Sequence, residues 1–446
     1  MARLALERAL PADWIDEVFD EHRQRQYPRE LLFSTVVELM TLVSLGLRPS
    51  LHAAARQMDE QLPVSLAALY DKVNRTEPEI LRALVQGSAQ RLAPVAGALS
   101  AQSSLPGWQL RVFDGNHLPA SEKRLGALRG LRGAALPGHT LVVYDPDSAL
   151  VCDIASCEDA YESERAVVMP LLEQAQPKQV WMGDRHFCTH AILQRLEQAG
   201  AGFIVREHSR HPRLAGVGRW SRYVRIDTGR VREQRIDMAL ELDGDDLAEQ
   251  GGTSWRRIEI ALDEPTESGD DTIGLWSNLP ASIDAATIAR LYRKRWRIEG
   301  MFQRLESVLH SEIKSLGHPR AALLGFAVAV LAYNVLALLQ RVVEQAHRAS
   351  NPTLEVSTYH LAQHIKSGYE GLTIALPPEH WPRVSEDDDP NVLLDRLLRL
   401  ARRIAPKQVA TSKRGPKIEN GKGYVDGKTA RSHVSTDRVL KGTTTP

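Results

Sequence analysis

Three carboxylates and one basic helical stretch carry the chemistry that this chain could perform. Asp114 closes the apolar run VFD, Asp184 closes VWMGD, and Glu299 lies within ARLYRKRWRIEGMFQRLESVLHSEIK, 289–314. That stretch contains no Pro and one Gly, Gly300, and reads as a single helix. Arg290, Arg293, Lys294, Arg295, Arg297 and Arg304 make it basic. At 3.6 residues per turn, Tyr292, Arg295, Glu299, Phe302 and Glu306 share one side. A Tyr, an Arg and a Glu aligned among cations describe a phosphate-holding face with a carboxylate in it. A solvated, salt-bridged helix has the same pattern. The choice depends on whether other elements bring Glu299 partners.

Those elements come from the middle of the chain. WQLRVFD (108–114), HTLVVYD (139–145), LVCDIAS (150–156), KQVWMGD (178–184) and GFIVRE (202–207) read as strands, with helices at 163–174 and 189–199 between the later ones. This order predicts a mixed α/β sheet, in which functional groups gather at the carboxyl ends of strands. Asp114 and Asp184 are placed at two such ends. Two-metal phosphodiester chemistry needs carboxylates converging from separate elements on two Mg²⁺ or Mn²⁺ ions about 3.5–4 Å apart. Glu299 would be the third ligand. Asn116 and His117 are read as turn residues after Asp114.

Around this core the chain divides by pattern. Residues 1–100 are mostly helical, with a long apolar-periodic run at 28–47. Short helices at 51–58 and 65–73 could form a helix-turn-helix with SLAALYDKVNR as reader, or belong to a plain bundle. Residues 101–205 and 278–345 would make the catalytic core, interrupted at 206–277 by short alternating strands that predict an all-β insertion. Asp284 is placed to cap the helix that follows. Helices at 353–366 and 391–404 form a C-terminal region (346–405), and 406–446 reads as a disordered basic tail.

Composition sets outer limits. The 446 residues are 43% hydrophobic and 25% charged, with a formal net charge of zero, so binding to polyanions would rest on local patches. Acidic runs at 241–249 and 383–391 supply much of the balance. Cys152, Cys157 and Cys188 form no disulfide framework and no recognised zinc spacing, which fits a reducing, cytoplasmic setting. The uncharged stretch 321–339 approaches membrane-spanning length. It is Ala-rich, interrupted by Asn334 and unaccompanied by a second such segment, so a buried core helix and no membrane are expected.

Over roughly 20–405 the sequence resembles the DDE transposases of bacterial insertion sequences, family 4. The resemblance is clearest in FDGNHLPASEKRLGALRGLRGAALPGHTLVVYD (113–145), GDRHFCT (183–189) and YRKRWRIEGMFQRLESVLHSEIKS (292–315). It implies a ribonuclease-H-like core with a β insertion before the Glu, and Asp114, Asp184 and Glu299 as a triad holding two Mg²⁺, for which Mn²⁺ can substitute. It further implies a Tyr-x2-Arg-x3-Glu-x6-Lys pattern, which Tyr292, Arg295 and Glu299 satisfy. Glu306 stands where the family has Lys. Arg304, roughly 140° round the helix from Glu299, is a poor substitute; Lys314 matches a later family element.

The activity implied is cleavage at terminal inverted repeats followed by strand transfer into target DNA, performed by a homodimer on double-stranded DNA, with 353–404 as the dimer contact. DNA would meet Tyr292, Arg295, Arg185, Arg304 and Lys314, and the basic loop carrying Lys123, Arg124, Arg129 and Arg132. Trp255 and Trp276 are candidates either for stacking on a displaced base or for the core. A related nuclease without strand transfer, and an impaired DNA-binding copy, are the alternatives that Glu306 leaves open.

Overall fold

The computed structural model describes residues 1–412 except 25, 27–29, 58–61, 100–102, 209–213, 239–253, 267–268 and 376–388, and then 424–425 and 428–429. Six helices open the chain: α1 (Ala2–Ala9), α2 (Ala12–His22), α3 (Phe33–Ser44), α4 (Leu51–Gln57), α5 (Leu66–Arg75) and α6 (Pro78–Ala98). The apolar run expected at 28–47 narrows to α3, and residues 27–29 lie outside the described ones. Of the two short helices, α5 carries an exposed Asp71–Arg75 pair at 3.0 Å.

The sheet follows the expected order. It consists of β1 (Gln109–His117), β2 (His139–Asp145), β3 (Leu150–Cys157), then short α7 (Glu164–Val167) and α8 (Met169–Leu172), β4 (Gln179–Gly183), α9 (His190–Gln198) and β5 (Gly202–Arg206). The single helix expected at 163–174 divides at Val168, because Pro170 has no N–H to donate back. β1 also runs three residues past Asp114. Its partner there is antiparallel β2, from Asp114↔Val142 to His117↔His139, so Asn116 and His117 are strand residues and not a turn.

The β insertion extends the same sheet. β6 (Leu214–Val217), β7 (Val224–Ile226), β8 (Gly229–Met238), β9 (Ser254–Leu262) and β10 (Thr272–Ser277) join it through antiparallel β10–β5 pairing. The strand order is β3-β2-β1-β4-β5-β10-β9-β8-β6, with β7 also on β8. The acidic run 241–249 lies outside the described residues, as does 383–388 of the second run.

Strand alternation sends side chains to two cores. Leu110, Val112, Val180, Met182 and Ile204 join a large core with α6 and the later helices. Phe113, Trp181, Phe203 and Val205 join a smaller one beneath α8 and α9. Trp255 and Trp276 are fully buried in that smaller core, which removes both as base-stacking candidates.

The remaining helices are α10 (Ala285–Tyr292), α11 (Arg297–Leu309), α12 (Pro319–His347), α13 (Thr358–Ala375), α14 (Pro390–Ala401) and α15 (Pro406–Val409). α12 is long and apolar enough to cross a membrane, yet 94% of its most apolar window is buried inside the fold. Residues 406–410, expected to open the tail, are instead part of the folded chain. Val409 is buried, and its carbonyl accepts from Ser357 N–H at 2.7 Å, so 406–410 belong to the compact unit Met1–Ala410. In the separate unit Thr411–Pro446, β11 (Tyr424–Val425) pairs with β12 (Lys428–Thr429).

Candidate active site

Parallel pairing of β1 with β4 sets the two aspartates side by side. The register matches Val112 with Met182, and two residues further brings Asp114 level with Asp184. Both continue the parity of Val112 and Met182, so both face the large core. Close approach of the strands needs Gly183, where a Cβ would lie 2.7 Å from the Phe113 ring. Asp184 begins a 3₁₀ turn, Arg185–Phe187, and its carboxylate accepts from His186 N–H at 2.8 Å.

Glu299 arrives on a helix that packs into the same large core. The stretch read as one helix is α10, a 3₁₀ turn at Arg293–Trp296, and α11, which ends at Leu309 because His310 adopts a left-handed conformation (φ 43°). Asp284 caps α10, accepting from Thr287 N–H at 2.7 Å as anticipated. The helical path stays continuous enough to keep Tyr292, Arg295 and Glu299 together. Arg295 Nη1 lies 3.3 Å from Asp114 Oδ2 and its Nη2 3.0 Å from Glu299 Oε1. Its guanidinium is 5.9 Å from the Tyr292 ring. Tyr292 is buried, which pushes its phenol up to about 12 and keeps it neutral.

Asp114 has an unusual carboxyl. Burial, opposed by Arg295 and reinforced by the charge of Asp184, raises it to about 6; the Gly115 N–H, donating to Oδ1 at 3.0 Å, counteracts part of the rise. Two carboxylates with a guanidinium between them and a third alongside form an all-oxygen donor set that suits a hard divalent cation. Among the described residues, however, no three His, Cys, Asp or Glu side chains stand close enough together to hold a metal ion. Arg295 supplies the positive charge between Asp114 and Glu299 instead.

Most of the other cations are committed elsewhere. Arg293 pairs with Asp227 at 2.8 Å, Lys294 with Asp147 at 3.4 Å, and Arg297 donates to Pro146 O at 2.7 Å. Arg304 turns toward the buried Tyr333 and Tyr144. Arg290 is exposed, with its guanidinium on Thr287. The basic face is therefore largely a set of bonds that seat α10 and α11, with Arg295 at the acids.

The loop after β1 folds on itself, with Lys123 donating to Leu131 O and Arg124 pairing with Glu122 at 2.7 Å. Glu122 N–H donates to Lys314 O at 2.9 Å, which ties this loop to the segment after α11. Arg185, Arg124, Arg129, Arg132 and Lys314 are exposed. Glu306 is exposed on α11, and with Lys314 it acts electrostatically on Glu312, in opposite senses.

Two residues near the acids had been given no role. Trp296, 54% exposed, lies with its ring 6.0 Å from the Arg295 guanidinium. Glu164 of α7 approaches Gly115, next to Asp114. Gly115 was the available signal, because a Gly inside a strand marks close approach by another group.

Asp114 on β1, Asp184 just past the adjacent parallel strand β4, and Glu299 reached through Arg295 are thus gathered at one place on a mixed sheet. The family described as "Transposase DDE domain" matches residues 110–335, just over half of the chain. The chain belongs to that family and is a transposase, acting in transposition and DNA recombination. It is similar to a Sinorhizobium fredii protein named "Putative transposase y4zB", at 27% identity over 286 residues, covering 60% of this chain and 70% of the relative.

Proposed function

We propose that the chain is a cut-and-paste transposase of the insertion-sequence family 4 type, with Asp114, Asp184 and Glu299 as its catalytic triad. One observation carries this reading: Asp114 on β1 and Asp184, just past the parallel strand β4, lie close enough for their charges to act on each other, and Arg295 links Asp114 to Glu299. The triad would hold two Mg²⁺ or Mn²⁺ ions, which when bound supply activation of the attacking oxygen and charge stabilisation at the leaving oxygen. Arg295, backed by Tyr292, would release the carboxylates and meet a DNA phosphate, with Arg185, Lys123, Arg124 and Lys314 tracking the backbone.

In this reading the helical 1–100 region binds the terminal inverted repeats. Residues 101–205 and 278–345 form the catalytic core around the 206–277 insertion. The 353–404 helices join two copies on DNA, and the chain beyond Ala410 adds nonspecific affinity.

A labelled terminal repeat incubated with the protein and Mg²⁺ tests this directly. Asp114→Ala, Asp184→Ala and Glu299→Ala should each abolish cleavage while leaving repeat binding within about twofold of wild type. Full cleavage by any one variant would remove that residue from the triad.

A second reading, cleavage without joining, is favoured by Glu306. The neighbouring Arg304 is turned toward Tyr333 and Tyr144 and leaves no cation at that position of α11. Glu306→Lys should raise strand joining severalfold if a phosphate contact is missing there. Unchanged joining would assign that contact to another residue.

A further inference from the structure

Glu164 belongs to no part of the triad, yet its carboxylate lies between the two segments that carry the aspartates. It occupies the space over Gly115, where a Cβ would collide with its Oε1. Oε1 lies 3.4 Å from His117 Nε2, at the end of β1, and Oε2 lies 3.6 Å from His186 Nε2, in the turn after β4. The adjacent Arg165 donates through Nε to His186 O at 2.7 Å, and His186 N–H in turn holds Asp184. The dipeptide Glu164–Arg165 therefore grips both the strand that bears Asp114 and the turn that bears Asp184. Such a grip has physical work to do. The two aspartates repel one another, and the turn that carries Asp184 exposes Arg185 and His186 to solvent.

We propose that Glu164 is a positioning residue, which acts through His117 and His186 to fix the spacing of Asp114 and Asp184. The inference rests on the reading of that pair as the cation-holding carboxylates. It requires no step beyond those already described, because the triad does the chemistry and Glu164 sets its geometry. Groups that orient metal ligands from behind typically change metal affinity by about 10–100-fold when removed.

The test uses the full-length protein stripped of metal and titrated with Mn²⁺, following free Mn²⁺ by electron paramagnetic resonance. Glu164→Ala should weaken Mn²⁺ binding by about 10-fold or more. Glu164→Gln, nearly isosteric, should keep the thermal unfolding midpoint of the wild type and lose affinity to a smaller degree. Because Glu164 acts through His186, adding His186→Ala to Glu164→Ala should cost much less than His186→Ala alone. Wild-type affinity in both Glu164 variants, or fully additive losses, would overturn the proposal. Asp184→Ala serves as the control on the underlying reading. If it loses Mn²⁺ binding while the Glu164 variants do not, the positioning role alone fails. If it binds Mn²⁺ like wild type, the reading of the pair fails, and the positioning role with it.

Discussion

Arg295 holds two carboxylates that would otherwise face each other with no counter-charge, and this makes Asp114 the most informative titrating group at the site. Its carboxyl is raised to about 6, with burial the largest cause and Arg295 the main opposing one. A folded-state value above the unfolded value means the native state binds the proton more tightly. In metal-free protein, this group's contribution to stability therefore falls as pH rises from about 4 to 6 and is flat above that. Urea unfolding in chelator should show Asp114→Asn gaining stability relative to wild type across that window. Arg295→Gln should extend the window upward, since the cation that lowers the Asp114 value is gone. A wild-type and Asp114→Asn difference that does not change with pH would contradict the buried-carboxyl account. At this scale the candidate triad was legible because strand ends and helical spacing are local properties. Glu164 was not, because its place over Gly115 and between His117 and His186 is made in three dimensions.

The basic stretch shows what element-level reading can and cannot resolve. Its helical character, its cap and the shared side of Tyr292, Arg295 and Glu299 follow from spacing within a few residues. Its division does not, because the 3₁₀ turn at Arg293–Trp296 coincides with two anchors, Asp227 and Asp147, and a third, Pro146 O, is met by Arg297 just after it. Its end at Leu309 lacks the usual Gly signal, since His310 takes the left-handed position. Seating of this helix begins at Asp284, whose side chain satisfies Thr287 N–H. Asp284→Ala should lower stability by about 1 kcal/mol, measured by denaturant unfolding. It should slow cleavage only slightly, because the three anchors remain. A large loss of cleavage with unchanged stability would mean that Asp284 acts at the site and not through the helix.

Across the whole molecule, the features hidden from sequence are those made by pairing between distant segments. The insertion was recognisable as β structure, but its merger with the core sheet depends on β10 meeting β5 across some seventy residues, a register that no local pattern encodes. The role of α12 was half legible: its apolar length and the interruption at Asn334 favoured a core helix, without saying what Asn334 does. Among the described residues β3 is a sheet edge with β2 as its only strand neighbour, and an edge strand presents unpaired backbone groups. Asn334 satisfies a pair of them, accepting from Val151 N–H at 2.8 Å and donating to Val151 O at 2.9 Å, while fully buried. One amide thereby completes the edge of the sheet from inside an otherwise apolar helix. Asn334→Ala leaves a buried N–H and a buried C=O without partners, at about 1–3 kcal/mol each, so unfolding free energy should fall by about 2–6 kcal/mol with little change in denaturant slope. Asn334→Asp, equal in size, should be at least as damaging, since a carboxylate cannot donate to Val151 O and would bury a charge. Losses below about 1 kcal/mol in both variants would show that water or a shifted helix serves the edge equally well, and that the amide is not what docks α12 onto β3.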